Sequence, residues 1–264
     1  MTELEQILKE KGYDTDKGPE YLENYQHYFG SLKENPVALL ELGIHRGGSL
    51  LLWNDFFSKG TILGLDLHAV DLSDHSERIV TCKGRQQDTE LLDQFLEKHA
   101  PAGLDIVIDD ASHFGEATKI SFWHLYENHL KPGGIYVIED WRTGYWGGWQ
   151  DGSQYNLKKL GRPERNRLQK KLDRMLDLLI RNEKPGEQRT IKKRLLVRFR
   201  NLLSKKQFKS HDAGMVGFVK ELVDELAVDA VTKSNRGYTG KQQSNKIKSI
   251  IYTAGQVFII KPEE

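Results

Sequence analysis

The chain is poor in cysteine: Cys82 stands alone among 264 residues. A single thiol excludes an internal disulfide framework and any cysteine-built metal cluster, and it agrees with a reducing compartment. Long apolar runs are also missing. No stretch reaches the roughly 20 residues that a bilayer-spanning helix needs, and residues 1–10 lack the apolar core of a signal segment. These absences predict a soluble, cytoplasmic protein. Two nucleotide-binding signatures are absent as well: the glycine-rich turn at 43–48 has neither the Gly-x-Gly-x-x-Gly spacing nor the Gly-Lys-Ser/Thr ending of a phosphate loop. No internal repeat is evident.

Charge of one sign is scarce only on average. The formal charge is +1, yet residues 158–206 carry 18 Lys or Arg against 5 Asp or Glu, which gives +13 there and −12 for the remainder. Such a block could attract nucleic acid, an anionic membrane or an acidic substrate. The wet face of long helices, or an oligomer surface, answers the pattern equally. The absence of a reader motif and of interleaved aromatics disfavours nucleic acid.

What the chain does contain is a series of apolar runs ending in acids or glycines. The spacing predicts short helices up to about Phe29 with a turn at 12–18, and places Tyr21, Tyr25 and Tyr28 on one helical side. Strands are expected at 37–42, 61–67, 79–82, 104–108 and 135–138, with helices at 49–57, 89–97 and 115–129 and a Lys-Pro-Gly-Gly turn before the fifth strand. Basic helices follow at 165–181 and 191–203, an amphipathic helix at 215–226, and two closing strands at 248–252 and 256–261. Alternation of this kind argues a doubly wound α/β sheet. Such a sheet delivers Glu41-Leu-Gly43, Asp66, Asp109-Asp110-Ala-Ser-His113 and Glu139-Asp140 to one crevice at the carboxyl ends of the strands.

Several of these groups have a purely structural reading. The glycine turn serves as a tight turn or as a close approach for a ligand, and Asp66, 23 residues after Gly43, suits ribose hydroxyls. Asp88 either faces a cofactor or caps the helix beginning at Thr89. Asp109 and Asp110, being adjacent, point to opposite faces, so one serves the fold while the other enters the site. The carboxylates are candidates for an oxygen-rich magnesium or manganese site, and otherwise cap helices or answer nearby cations. His113, three residues after Asp110, is a candidate general base. Trp141, Tyr145, Trp146 and Trp149 lie among glycines, as a mobile cover over a substrate or as a loop wedged against the domain.

The ordered set Glu41-Leu-Gly43, Gly47-Gly48-Ser, Asp66, Gln87-Asp88, Asp109-Asp110-Ala-Ser-His113, Lys131-Pro-Gly-Gly and Ile138-Glu139-Asp140 resembles the class I S-adenosylmethionine-dependent methyltransferases. Within them it is most similar to the metal-dependent sugar O-methyltransferases of macrolide tailoring. The resemblance implies a Rossmann-like sheet, mostly parallel with an antiparallel C-terminal strand pair. It also implies an N-terminal segment, residues 1–36, that covers the cofactor, and a methyltransferase domain over 37–264 with a basic insertion at about 150–212. Asp16-Lys17-Gly18 with Tyr21 and Tyr25 looks like that covering segment, although Pro19 stands where relatives commonly show histidine.

By resemblance, Glu41 and Gly43 line the cofactor pocket, with Gly43 against the methionine portion of S-adenosylmethionine. Asp66 faces its ribose, Gln87 or Asp88 its adenine, and Asp109 lies on the cofactor side with Tyr21 and Tyr25. Asp110, Glu139 and Asp140 hold Mg2+, or Mn2+, and His113 takes the proton from the acceptor hydroxyl. The expected acceptor is a sugar, glycan or other polyhydroxylated small molecule, and the expected assembly a homo-oligomer. A non-methylating, hydroxylase-like relative of the same fold, or an anionic-ligand or nucleic-acid binder using residues 158–206, is the competing expectation.

Overall fold

The computed structural model describes residues 1–154, 210–233 and 240–263, with isolated positions between 167 and 198. The chain divides into one unit of Met1–Tyr155 with Asp212–Glu264 and a second of Asn156–His211. The basic helices expected at 165–181 and 191–203 fall largely outside the described residues. Everything below concerns the first unit.

Its centre is a seven-stranded sheet of order β3-β2-β1-β4-β5-β7-β6. The strands are β1 (Ala38–Leu42), β2 (Thr61–Asp66), β3 (Ile79–Lys83), β4 (Leu104–Asp109), β5 (Leu130–Glu139), β6 (Ser249–Tyr252) and β7 (Gln256–Ile260). The first five run parallel, while β7 lies antiparallel between β5 and β6. The order reverses direction between β1 and β4, and such a switch point opens a crevice at the strands' carboxyl ends.

Residue parity sorts the core. Leu40, Leu42, Leu63, Leu65, Val107, Tyr136 and Ile138 face one side. They pack on α4 (Thr89–His99), α5 (Gly115–Asn128) and α6 (Gly214–Leu226) through Leu92, Phe122, Leu125, Phe218 and Leu222. Leu39, Ile62, Ile106, Ile108, Val137 and Phe258 face the other side. There they meet α1 (Glu3–Lys11), α2 (Pro19–Phe29) and α3 (Gly48–Phe56) through Leu4, Leu22, Tyr25, Phe29, Trp53 and Phe56. Both faces are covered, which is why the central strands read as continuous apolar runs. A short helix α7 (Val228–Val231) follows α6.

One expected element differs. Lys131-Pro-Gly-Gly is not a turn ahead of β5 but part of it, since Leu104 pairs with Leu130 and Ile106 with Ile135. The extra residues form an irregularity in which Gly133 takes φ 75°. A bulge of this sort tolerates proline and glycine inside a strand because the ladder is already interrupted.

Candidate active site

The same parity aims the acids. On β4, Asp109 shares the face of Val107 and is buried against α5. Gln86 Nε2 donates to its two oxygens at 3.1 and 3.0 Å, and the hydroxyls of Ser121 and Tyr136 donate at 3.3 Å each. Burial pushes the Asp109 carboxyl up to about 6, against the lowering effects of the Ala111 amide, His113, Gln86 and Ser121. Asp109 therefore serves the interior. Asp110, Glu41 and Glu139 gather on the opposite side, around one cation.

That cation is Lys17, delivered by the segment between α1 and α2. Its Nζ lies 3.0 Å from Glu41 Oε1, 3.0 Å from Asp110 Oδ2 and 2.8 Å from Glu139 Oε1, and the side chain is 1% exposed. Burial alone would lower its pKa, but the three carboxylates outweigh that and hold it well above the ordinary value. Glu41 Oε2 accepts from Trp53 Nε1 at 3.0 Å, and Tyr25 donates its hydroxyl to Glu139. Burial raises the carboxyls of both Glu41 and Glu139 despite Lys17. Nothing in the apolar periodicity marked Lys17 or Trp53 for this work. The only signal was the place of Asp16-Lys17-Gly18 in the covering segment.

Beside this clamp, Asp110, His113 and Asp140 each bring a donor atom within 4.8 Å of the others. His113 Nε2 is 3.9 Å from Asp110 Oδ1, while its buried Nδ1 has no hydrogen-bond partner. Tyr21 donates to Asp140 Oδ1 at 2.5 Å. Strained backbone sets the array: His113 (φ 49°), Asp140 (φ 51°) and His45 (φ 48°) all occupy the left-handed region, within four residues of the ends of β4, β5 and β1. Such conformations disfavour L-residues and gather where a site fixes them. At Asp140 the reversal breaks strand alternation, so Asp140 turns toward His113 while Glu139 stays with Lys17. Of the expected set Asp110, Glu139 and Asp140, the structure places Glu139 against Lys17 and Tyr25, and it brings His113 beside Asp110 and Asp140.

The donor chemistry suits a divalent cation. Lys17 faces three carboxylates, Glu41, Asp110 and Glu139, and Asp140 adds a fourth beside Asp110 and His113. Hard oxygen donors at Asp110 and Asp140 match magnesium or manganese. His113 stands beside these oxygens with its Nδ1 unpartnered.

No family model matches the chain. Among curated proteins it is 41% identical over 133 residues to the mycinamicin VI 2''-O-methyltransferase of Micromonospora griseorubida, covering 47% of this chain and 32% of that one. It is 39% identical over 150 residues to the demethylmacrocin O-methyltransferase of Streptomyces fradiae, covering 52% and 36%. A solved structure of the MycE methyltransferase of the mycinamycin pathway, in complex with Mg and SAH, superposes with TM-score 0.63 at 25% identity, over 98% of this chain and 54% of that one. The fold is that of a methyltransferase. The chain spans about a third of the length of these curated relatives and about half of the solved one.

In this methyltransferase fold the cofactor-side candidates take up distinct positions. Asp66 closes the turn after β1: its Oδ2 accepts from the amides of Ile44 and His45 at 2.9 and 3.0 Å, and its Oδ1 from His68 N at 2.9 Å. A carboxylate has lone pairs beyond these three, so ribose contact is compatible with the role. Gly43 (φ 81°) is indispensable for another reason than ligand approach, since a Cβ there would lie 2.3 Å from the Asp110 carbonyl oxygen. Asp88 is exposed and caps α4 through Leu91 N at 3.1 Å, the structural reading of that residue. Gln86 is the buried member of the Gln86-Gln87 pair, and its Oε1 also accepts from Ser112 N at 3.0 Å. The expectation named Gln87 or Asp88 for the adenine; Gln87 is half-buried in the loop after β3. Of the aromatic segment, Trp141 is anchored through Nε1 to Thr253 O at 3.1 Å, whereas Trp146 and Trp149 are 53% and 40% exposed. Trp149 meets His113 edge-on at 5.2 Å.

Proposed function

We propose that the chain is an S-adenosylmethionine-dependent, divalent-metal-dependent O-methyltransferase that modifies a hydroxyl of a sugar or other polyhydroxylated small molecule in natural-product biosynthesis. The observation that carries this reading is the convergence of Asp110, His113 and Asp140 on one point at adjacent strand ends. Its relatives' acceptors, mycinamicin VI and demethylmacrocin among them, support the substrate class. A cytoplasmic location and a homo-oligomeric assembly belong to the same reading.

When bound, S-adenosylmethionine supplies an electrophilic methyl group and the divalent ion acidifies the acceptor hydroxyl. Asp110 and Asp140 would hold the ion, and Tyr21 fixes the Asp140 carboxylate by donating to its Oδ1. Lys17 offsets the remaining charge and, with Tyr25, keeps Glu139 in place. His113 receives the acceptor's proton as the oxygen attacks, and its packing against Trp149 limits the ring's rotation. The exposed faces of Trp146 and Trp149 offer apolar surface on which a sugar ring can lie. Alignment of the acceptor oxygen with the methyl group does much of the remaining work, so no covalent enzyme intermediate is required.

Titration calorimetry with S-adenosylhomocysteine, with and without magnesium and with Asp110→Ala as control, tests the reading. One-to-one binding, with a magnesium enhancement that disappears in the control, is expected, followed by a methyl mass gain on a glycoside acceptor. Folded protein that binds no S-adenosylhomocysteine under either condition would sink it.

A further inference from the structure

A second cluster of metal-ligating side chains lies away from the crevice. Asp93 sits on α4, His124 on α5 and His129 directly after α5. The backbone carbonyl of His129 accepts from Leu104 N at 2.8 Å, which places this cluster near the start of β4, toward the opposite end of the sheet from Asp110. His124 Nε2 approaches Asp93 Oδ1 at 2.8 Å and His129 Nε2 approaches the same oxygen at 2.6 Å. The three donor atoms lie within 4.8 Å of one another, and the imidazoles are 17% and 15% exposed.

Both Nε2 atoms converge on one oxygen of Asp93, whose lone pairs can accept both as hydrogen bonds. As a ligand set it is well composed: two neutral imidazole nitrogens and one carboxylate are a common half-open donor set for zinc. Bonds of about 2.0 Å to a shared ion would place the donors roughly 3.3 Å apart, so each nitrogen need retreat from the oxygen by only about half an ångström or slightly more. A recess of about 260 Å³ beside His129 is lined also by Asn128 and by Glu97, which stands one helical turn after Asp93.

We propose that Asp93, His124 and His129 form a zinc-type transition-metal site that clips α4 to α5, separate in place and in ligand chemistry from the oxygen-rich crevice. Neither imidazole takes part in the function proposed above, so the site stands or falls independently of it.

The test uses the full chain, stripped with chelator and kept in excess Mg2+. Zn2+ is titrated by calorimetry and Co2+ by visible absorption, in wild type, His124→Gln/His129→Gln, Asp93→Asn, His129→Gln and Asp110→Ala. Wild type and Asp110→Ala should each bind one Zn2+ tightly and show the intense d–d absorption of four-coordinate Co2+. Zn2+ should also raise their melting temperature. The double histidine variant should lose affinity by more than the roughly 10–100-fold that removal of a supporting group costs, and lose the Co2+ band. If the double variant does not fold, the folded single variants Asp93→Asn and His129→Gln give the same reading. Equal Zn2+ affinity and stoichiometry in a folded ligand variant, a tight site lost in Asp110→Ala alone, or no tight site in wild type would each overturn the proposal.

Discussion

At the residue scale, His113 is held in a strained conformation with an unpartnered buried nitrogen, and its removal should affect chemistry more than binding. His113→Ala is expected to lower turnover by about 10²–10⁴, the usual share of a general base, while S-adenosylhomocysteine binding stays near wild type by calorimetry. Unchanged turnover would remove His113 from the mechanism. Lys17 has the opposite profile. Lys17→Met strands Glu41, Asp110 and Glu139 without their shared cation and should cost on the order of 3–5 kcal/mol in urea unfolding. Adding Glu139→Gln should restore part of that loss by deleting one stranded charge while leaving an acceptor for Tyr25. An unaltered unfolding midpoint in Lys17→Met would show that the clamp contributes little. Asp110, Asp140 and His113 were legible as candidates in the sequence, because acids and a histidine at strand ends are visible as pattern. That pattern could not name Lys17, whose partners lie 24, 93 and 122 residues away. Nor could it separate Glu139 from Asp140, since their divergence depends on a backbone reversal at φ 51° that no spacing encodes.

At the scale of elements, the stretch between α1 and α2 joins the glycine turn to the acid cluster. Arg46 and Asp14 pair at 3.0 Å above the turn, and Gly48 lies so close beneath that a Cβ there would be 2.0 Å from the Asp14 carbonyl oxygen. Gly48→Ala should lift residues 13–17 and withdraw Lys17. Faster limited proteolysis within that stretch, with the melting of the sheet little changed, is the expected signature. Tyr13 fastens the same stretch by donating to Asp55 Oδ2 at 2.7 Å. Burial, then the hydrogen bond and charge of Asp55, push its hydroxyl from the ordinary 10 up to about 12. The folded protein therefore keeps this proton in a window where the unfolded chain loses it. Its stabilisation is complete below about pH 10 and is lost as pH rises through about 12. Tyr13→Phe should show a shallower fall in unfolding free energy than wild type across that window, and parallel curves would exclude the contact. Most strands and helices of the first unit were legible from apolar runs and their punctuation. Lys131-Pro-Gly-Gly was misread as a turn because its residues are turn formers, and only the pairing of Leu104 with Leu130 shows that the strand continues through them.

At the scale of the whole molecule, the doubly wound sheet followed from the order of runs and its antiparallel end from the family resemblance, whereas the sequence pattern could not show how the basic excursion is attached. The attachment is local. Asp151 Oδ2, just before the excursion, accepts from Gly115 N at 2.8 Å and from Met215 N, just after it, at 2.7 Å. One carboxylate thus ties the departing chain, the returning chain and the start of α5 together, and Gly214 must stay bare because a Cβ there would lie 2.3 Å from Asp151 Cγ. Since the two ends are already joined, residues 156–211 should be replaceable by a Gly-Ser linker of about eight residues, whose mean span is roughly 15 Å. The sheet has its own core on both faces within the first unit, so the shortened protein should unfold in one cooperative step and retain S-adenosylhomocysteine binding. With the +13 block largely gone, any affinity for anionic acceptors should fall and the salt dependence of acceptor binding should flatten. Loss of cooperative unfolding in the linker variant, but not in a control that keeps 156–211 and carries Asp151→Asn, would show that the excursion stabilises the sheet itself. Loss in the Asp151→Asn control as well would instead place the dependence on the tie between α5 and α6.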